Sequence, residues 1–332
     1  MIEKTFRALV IEKTEKNIFV RRIKDRRLND LPEGEVLIRV HYSSLNFKDG
    51  LSCIGNPGVT NNYPHTPGID ASGVVEYSSN PKFKSGDSVI VTSYDLGMNT
   101  AGGFGQYIRV PAEWVVLLPK GLDLKESMIL GTAGYTAGLS VCALQNYGVY
   151  PSNGDIIVTG ATGGVGCLSV ALLTHLGYSV AASTGKKDKI NFLKTLGATE
   201  IINRDEFKIE SRKVLLKERW GGAIDTLGGV TLGNLLKSTK KGGAVVSTGL
   251  VDSPELTTTV FPFILRGVGL LGVDSSETHF DLRCKVWNLL AGEWKTPQLN
   301  ELSKDCNLDE LSPEIDKILA GGQCGRVVVE ML

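Results

Sequence analysis

The pattern of apolar and polar positions changes character once along the chain. In the first third the period is two. Glu35–Tyr42 (EVLIRVHY) alternates, as does Phe6–Ile11, and Gly73–Glu76, Asp87–Thr92 and Tyr107–Val110 are short runs set off by Gly, Pro, Asn and Asp. Period two places alternate side chains on opposite faces of a strand. Closely spaced short strands predict a barrel-like or sandwich-like β domain. After Pro119 the rhythm shifts. Lys125–Tyr147 reads as helices around the turn GTAGYTA (Gly131–Ala137). Strands at Asp155–Thr159, Ser179–Ser183, Glu200–Ile202, Gly222–Asp225, Gly243–Thr248 and Val268–Val273 then alternate with helices at Gly164–Leu176, Lys187–Leu196 and Thr231–Ser238. Such alternation predicts parallel strands with helical crossovers, a doubly wound sheet. Leu308–Ala320 reads as a helix, and Arg326–Glu330 is a strand with no βα unit left to join, so it is expected to return to the first domain. The predicted fold class is α/β. A β-rich domain covers residues 1–124 and is completed by about 266–332, and a nucleotide-binding domain at 125–265 is inserted into it.

Composition narrows the function classes. At roughly 100–200 residues per domain, 332 residues suit two domains. Lys plus Arg equals Asp plus Glu at 36 each, so the overall charge gives no reason to expect nucleic acid or a membrane surface as partner. Met1–Arg7 lacks the basic start and apolar run of a signal peptide, and apolar stretches such as Ile156–Val158 fall far short of the ~20 residues of a membrane span. A cytoplasmic location is expected. The six cysteines form no C-x-x-C pair and read as reduced, mostly packed thiols.

The chemistry-bearing motif is TGATGGVG (Thr159–Gly166), set between a strand and a helix. Ala161, Gly163 and Gly166 occupy the spacing of G-x-G-x-x-G. Gly163 lets the backbone approach a pyrophosphate, and Gly166 lets the helix sit close to the strand. The helix start offers amides and a positive dipole end to the phosphates. An NAD site places Asp or Glu about 20 residues beyond this loop, on the ribose 2′-hydroxyl. Here the region reads Ser183-Thr184-Gly185-Lys186-Lys187, hydroxyls and cations without a carboxylate, and Arg204 follows the next strand. Those donors suit a 2′-phosphate. NADPH is the expected cofactor. Asp188 is the one residue that would restore an NAD site by folding back.

Read in order, YSSLNFKDG (Tyr42–Gly50), YPHTPGIDASGVV (Tyr63–Val75), GTAGYTAGL (Gly131–Leu139), VTGATGGVG, AIDTLGG (Ala223–Gly229) and FPFILRGVGLLGVDS (Phe261–Ser275) resemble the medium-chain dehydrogenase/reductase superfamily. The nearer resemblance is to its zinc-independent quinone oxidoreductase branch, and nearer still to the acrylyl-CoA reductase (YhdH/YhfP-type) group. The resemblance implies a GroES-like catalytic domain, a Rossmann domain, a homodimer through the sheet edge near Val268–Val273, and NADPH-dependent reduction of an activated carbon–carbon double bond, acrylyl-CoA to propionyl-CoA. Carried onto this chain, Thr162, Gly163, Gly164, Val165 and Gly166 would hold the pyrophosphate. Ser183, Thr184, Gly185, Lys186 and Arg204 would hold the adenosine phosphate, with Leu250 and Ile264 on the nicotinamide side. Phe47, where relatives commonly carry Tyr, joins the cofactor contacts, and no phenol stands there to give a proton.

The resemblance makes Asn46, Tyr42 and Asp49 the candidate catalytic residues. Backbone amides or Asn46 would donate to a developing enolate oxygen, and water or a side chain such as Tyr42 would protonate the α-carbon. Alternatively, Asn46 and Asp49 only cap and shape the turn. Zinc-dependent relatives need a Cys where Asn46 stands and a His-Glu pair after a glycine, where this chain reads Gly68-Ile69-Asp70. No metal is expected. A substrate carrying CoA phosphates calls for a basic rim, for which Arg266 and Arg283 are candidates. Three alternatives remain: a quinone as the small-molecule substrate, a sensor that binds NADPH without turnover, and, least favoured, a zinc alcohol dehydrogenase.

Overall fold

The computed structural model describes residues 4–209 and 211–332. Met1, with which the N-terminal reading begins, lies outside them. Along the chain come β1 (Thr5–Lys13), β2 (Phe19–Arg27), β3 (Val36–Ser44), α1 (Phe47–Cys53), β4 (Asp70–Ser78), β5 (Ser88–Thr92), β6 (Tyr107–Val110), β7 (Val115–Leu117) and α2 (Leu124–Tyr147). Next are β8 (Ile156–Val158), α3 (Gly164–His175), β9 (Val180–Thr184), α4 (Ile190–Thr195), β10 (Glu200–Asn203), β11 (Trp220–Asp225), α5 (Gly229–Ser238) and β12 (Thr239–Ser247). The chain closes with α6 (Phe261–Arg266), β13 (Gly269–Gly272), α7 (Phe280–Ala291), β14 (Ser303–Asn307), α8 (Leu311–Leu319) and β15 (Arg326–Glu330).

Two compact units form. Among the described residues, one comprises 4–132, 276–292 and 299–332, the other 133–209, 211–275 and 293–298. In the first, β14, β15, β3, β4, β5 and β7 form a mostly antiparallel sheet, with β6 also paired to β3, and β1–β2 form a separate ribbon. Val36, Ile38 and Val40 of β3 alternate inward and meet Val89, Val91, Ile108, Val327 and Val329 in one core with Leu311 and Ile315 of α8. Arg326–Glu330 pairs with β14 on one side and β3 on the other. β2 (FVRRIKDRR) escaped the sequence reading because its apolar positions are few and its arginines are half-buried or exposed on a ribbon.

In the second unit the strand order is β10-β9-β8-β11-β12-β13, every pairing parallel. Numbered from β8 this is 3-2-1-4-5-6, the doubly wound order, with its reversal between β8 and β11. All three residues of β8 and all five of β9 are buried, as strands covered on both faces must be. Leu232, Leu235 and Leu236 of α5 recur at helical spacing and pack on Ile157, Ala223 and Val245. The sheet extends through β13, so this unit runs to Ser275. The expected helix Lys187–Leu196 is a 3₁₀ turn at Lys187–Lys189 followed by α4.

α2 has 24 residues and enough apolar character, by length and composition, to cross a membrane; 89% of its most apolar window is buried inside the protein. Three-residue runs such as Ile156–Val158 therefore understated the chain's longest apolar helix. Gly131 breaks α2 with φ 50° and ψ −155°, a conformation open to glycine.

Candidate functional site

β8 leads into the turn 159–163, and Gly163, extended at φ −76° and ψ 173°, precedes α3. A Cβ on Gly166 would lie 2.3 Å from the carbonyl oxygen of Gly160 and 2.7 Å from Cα of Ala161. Only glycine permits that approach of helix to turn. The first-turn amides at Gly164, Val165 and Gly166 lack partners four residues back within the helix, and the positive end of its dipole lies there.

Beside this turn is a second group. The Thr184 hydroxyl ends β9, accepts from the Lys186 amide at 3.1 Å and lies 3.5 Å from the Thr162 hydroxyl. Thr184 is opposite Asn203 of β10, so the next residue, Arg204, emerges at the same sheet end. The Arg204 side chain lies over the bare Cα of Gly185, where a Cβ would come within 2.4 Å of Nε. Its ion-pair contact is a long one, to Asp205 at 4.0 Å. Asp188 does not fold back. It is 71% exposed and pairs with Lys189 at 3.0 Å, whose ammonium holds its carboxyl below the ordinary value. Ser183, expected among the phosphate contacts, is 1% exposed. Its hydroxyl is enclosed and has no hydrogen-bond partner among the described residues. Leu250 and Ile264 are exposed, on the loop after β12 and on α6.

In the first unit, the end of β3 and the start of α1 build a buried polar cluster. Asp49 has no exposed surface. Its Oδ1 accepts from the amides of Gly68 at 3.2 Å and Ile69 at 2.8 Å, and its Oδ2 accepts from the amide of Asn46 at 2.7 Å. A carboxylate so enclosed shapes the turn and touches no substrate, which corrects its candidacy for catalysis. The Asn46 side chain donates to Asp70 Oδ2 at 2.7 Å and to the Ser44 carbonyl at 3.2 Å, and accepts from Arg326 Nη1 at 3.2 Å. Both amide hydrogens are committed, so Asn46 has none left for an enolate oxygen. Tyr42 is half-buried on β3, and Phe47 is exposed at the first position of α1.

Asp70 anchors the cluster. It accepts from the Ser44 hydroxyl at 2.6 Å, from the Thr132 hydroxyl at 2.6 Å and from the Thr132 amide at 3.0 Å. Arg326, 3% exposed, lies 3.8 Å away and donates to Ser44 Oγ at 2.8 Å and to the Ile129 carbonyl at 2.9 Å. The kink at Gly131 makes room, since a Cβ there would be 2.4 Å from Asp70 and 2.9 Å from Arg326. The sequence reading missed Asp70, Thr132 and Arg326 as a set. Asp70 and Thr132 lie inside the segments TPGIDASG and GTAGYTAGL, and Arg326 opens an apolar strand where no charge is needed.

Burial, reinforced by the charge of Asp70, pushes the Asp49 carboxyl from 3.8 up to about 7. Between about pH 4 and 7 the folded chain keeps a proton that the unfolded chain has released. The stabilisation is complete below pH 4 and lost as pH rises through 7. In urea titrations, the stability of the wild type relative to Asp49→Asn is therefore expected to fall across that window. A difference independent of pH would refute this assignment.

Neither candidate rim arginine is available. Arg283 has no exposed surface and donates to Thr92 and the Ser276 carbonyl, with Tyr94 4.2 Å from its guanidinium. Arg266 binds the carbonyls of Lys237 and Leu216 and pairs with Glu218 at 3.2 Å. Their hydrogen bonds hold chain segments together.

A GroES-like sheet together with a doubly wound nucleotide-type sheet defines the medium-chain dehydrogenase/reductase class. The alcohol dehydrogenase GroES-like domain matches residues 32–120 and the zinc-binding dehydrogenase domain residues 164–291. The chain is 43% identical to the putative quinone oxidoreductase YhfP of Bacillus subtilis over 98% of its length and 99% of the relative's. It is also 43% identical to the acrylyl-CoA reductase AcuI of Ruegeria pomeroyi, over the same shares. The chain belongs to the acrylyl-CoA reductase group of that superfamily. Two solved relatives superpose with TM-score 0.95. The YhdH oxidoreductase of Salmonella enterica, in complex with NADP, is 40% identical, covering 98% of this chain and 100% of its own. YhfP of Bacillus subtilis with NAD bound is 43% identical, covering 98% and 99%. The zinc implied by the second domain's description does not fit here. The Asn46 amide and Asp70 carboxylate are engaged by each other and by Arg326, and among the described residues no group of three His, Cys, Asp or Glu is placed to hold a metal ion.

Proposed function

We propose that the protein is an NADPH-dependent oxidoreductase that reduces an activated carbon–carbon double bond, acrylyl-CoA to propionyl-CoA or a related enoyl or enone substrate. The observation that carries this reading is the end of β9, where Ser183–Lys187 contains no carboxylate and the Arg204 side chain lies over Gly185. Thr184, Gly185 and Lys186 converge there with Arg204, while Asp188 faces solvent. The first-turn amides of α3 would take the pyrophosphate, and Lys186 and Arg204 the 2′-phosphate.

When bound, NADPH supplies the hydride that adds to the β-carbon. This chain's residues bind and orient it. Gly166 lets α3 approach the turn closely enough to present its amides, and exposed Leu250 and Ile264 offer apolar cover to the nicotinamide side. The developing enolate oxygen requires donors other than the committed Asn46 amide. Tyr42 is the proposed proton source for the α-carbon. The names AcuI and YhfP favour two substrate classes, enoyl-CoA and quinone. A panel of acrylyl-CoA, simple enones and a small quinone, each with NADPH and NADH, decides between them. Acrylyl-CoA with NADPH is expected to give the highest kcat/KM. A higher value for the quinone would overturn the substrate, and no substrate-dependent NADPH oxidation would leave the sensor reading. Tyr42→Phe belongs in the same assay, and unchanged kcat removes Tyr42 from the chemistry.

A cytoplasmic homodimer completes the proposal. None of the six cysteines is joined in a disulfide, as a reducing compartment keeps them. β13 is an edge strand carrying the exposed Leu270, a backbone template open to a second copy. A monomeric mass by light scattering would refute the dimer.

A further inference from the structure

The segment AIDTLGG (Ala223–Gly229) has no part in the proposal above. It spans the end of β11 and the following turn, beside the point where the strand order reverses, which is where doubly wound sheets bind ligands. Asp225 closes β11 and is fully buried. Its Oδ1 accepts from the Thr159 hydroxyl at 2.6 Å and its Oδ2 from the Gly228 amide at 2.7 Å. Its backbone carbonyl accepts from the Thr248 amide at 2.9 Å and the Thr248 hydroxyl at 3.1 Å. Thr159, which opens the phosphate turn, is equally buried. Its hydroxyl accepts from the Thr226 amide at 3.0 Å, and its carbonyl accepts from the Thr226 hydroxyl at 3.1 Å. Beyond these, the Leu227 carbonyl accepts from the Asp252 amide at 2.9 Å. The Asp225 carboxylate and the Thr159 hydroxyl thus tie the turn after β8 to the turn after β11, and the backbone carbonyls of Asp225 and Leu227 hold the segment after β12 to the same point.

We propose that Thr159 and Asp225 are positioning residues that clasp the phosphate turn to the turns after β11 and β12, so that the pyrophosphate and nicotinamide halves of the dinucleotide meet contacts already in register. The inference rests on the NADPH reading and adds to it the device that preorganises the site. Loops left free in the unliganded protein would have to be ordered on binding, at a cost in affinity. A carboxylate suits the task because both its oxygens only accept, and the Thr159 hydroxyl, the Gly228 amide and the Thr226 amide all present hydrogens to this pair. The adenosine pocket lies on the other side of β8, at β9 and β10. Its contacts should not depend on the clasp.

The test is equilibrium binding of two probes, NADPH and 2′-AMP, to wild type, Thr159→Val and Thr159→Ser. Valine keeps the shape and removes the hydroxyl, whereas serine keeps the hydroxyl. Thr159→Val is expected to bind NADPH about tenfold more weakly while 2′-AMP stays within about twofold, and Thr159→Ser is expected to restore NADPH. NADPH affinity unchanged in the valine variant would overturn the clasp. So would equal losses for both probes, which indicate general loosening of the unit. Should Thr159→Val fail to fold, Thr226→Val removes only a half-buried hydroxyl of the clasp. It is expected to weaken NADPH about threefold with 2′-AMP unchanged, and unchanged NADPH affinity again overturns the proposal. Failure of the wild type to bind NADPH is a separate result that removes the underlying reading and this inference with it.

Discussion

Replacing Lys186 and Arg204 together by alanine is expected to lower kcat/KM for NADPH by about 10²–10³ while NADH stays within about threefold. The two nicotinamides differ only in the 2′-phosphate, so the ratio isolates the contacts to that group. A charge-assisted hydrogen bond to phosphate contributes roughly 1.5–3 kcal/mol, and two of them give roughly 3–6 kcal/mol. Arg204 is 56% exposed on its side chain, and solvent screening favours the lower part of that range. The placement of Arg204 against the bare Cα of Gly185 makes it the more position-dependent of the two. Steady-state kinetics with both cofactors measures the effect. A parallel loss for NADH would show that these residues support the fold or the shared part of the dinucleotide. The NAD bound to the Bacillus subtilis relative at 43% identity makes this ratio the informative quantity for the family.

Arg326→Leu is expected to destabilise the first unit by about 3–5 kcal/mol, because it leaves Asp70 as a buried charge without its cation. Asp70 has no exposed surface, and Arg326 supplies hydrogen bonds to Ile129, Asn46 and Ser44 besides the 3.8 Å ion pair. Asp70→Asn removes the charge from the other side. The double variant is expected to lose clearly less than the sum of the two single variants, as coupled neighbours do. Amide hydrogen exchange along β3 reads the effect within this unit, independently of the other. A loss below about 1 kcal/mol for Arg326→Leu would mean that water or a rearranged donor satisfies Asp70, and the cluster would then be no anchor. The same variant frees Oδ1 of Asn46 from its donor, so the turn before α1 is expected to loosen with it.

The doubly wound unit was legible because each of its elements is locally encoded. Ile156–Val158 and Val180–Thr184 are apolar enough to be buried on both faces, and Gly166 marks an approach of helix to turn that no other residue would fit. The strands of the first unit were legible where one face is buried, as in β3. They were lost where pairing alone holds them, as in β2 and in the SKDCN segment of β14. The buried arginines show the same limit. Nothing in the neighbours of Arg283 along the chain announces that Thr92, 191 positions away, accepts from it. Arg326 likewise reaches Asn46 across 280 positions.

By itself the sequence determined the phosphate turn, the absence of a carboxylate in Ser183–Lys187, and the order of strands and helices from β8 to β12, since propensity, periodicity and turn chemistry act over a few residues. Tertiary structure alone decided which polar groups are spent and which are available. Ser183 is enclosed while the Arg204 side chain lies over Gly185. Asn46 and Asp49 turn from candidate reagents into parts of a buried scaffold, and Asp225 becomes the knot of three loops. The physical reason is that hydrogen-bond capacity and burial depend on partners brought together by folding from distant parts of the chain, and no local pattern encodes those distances.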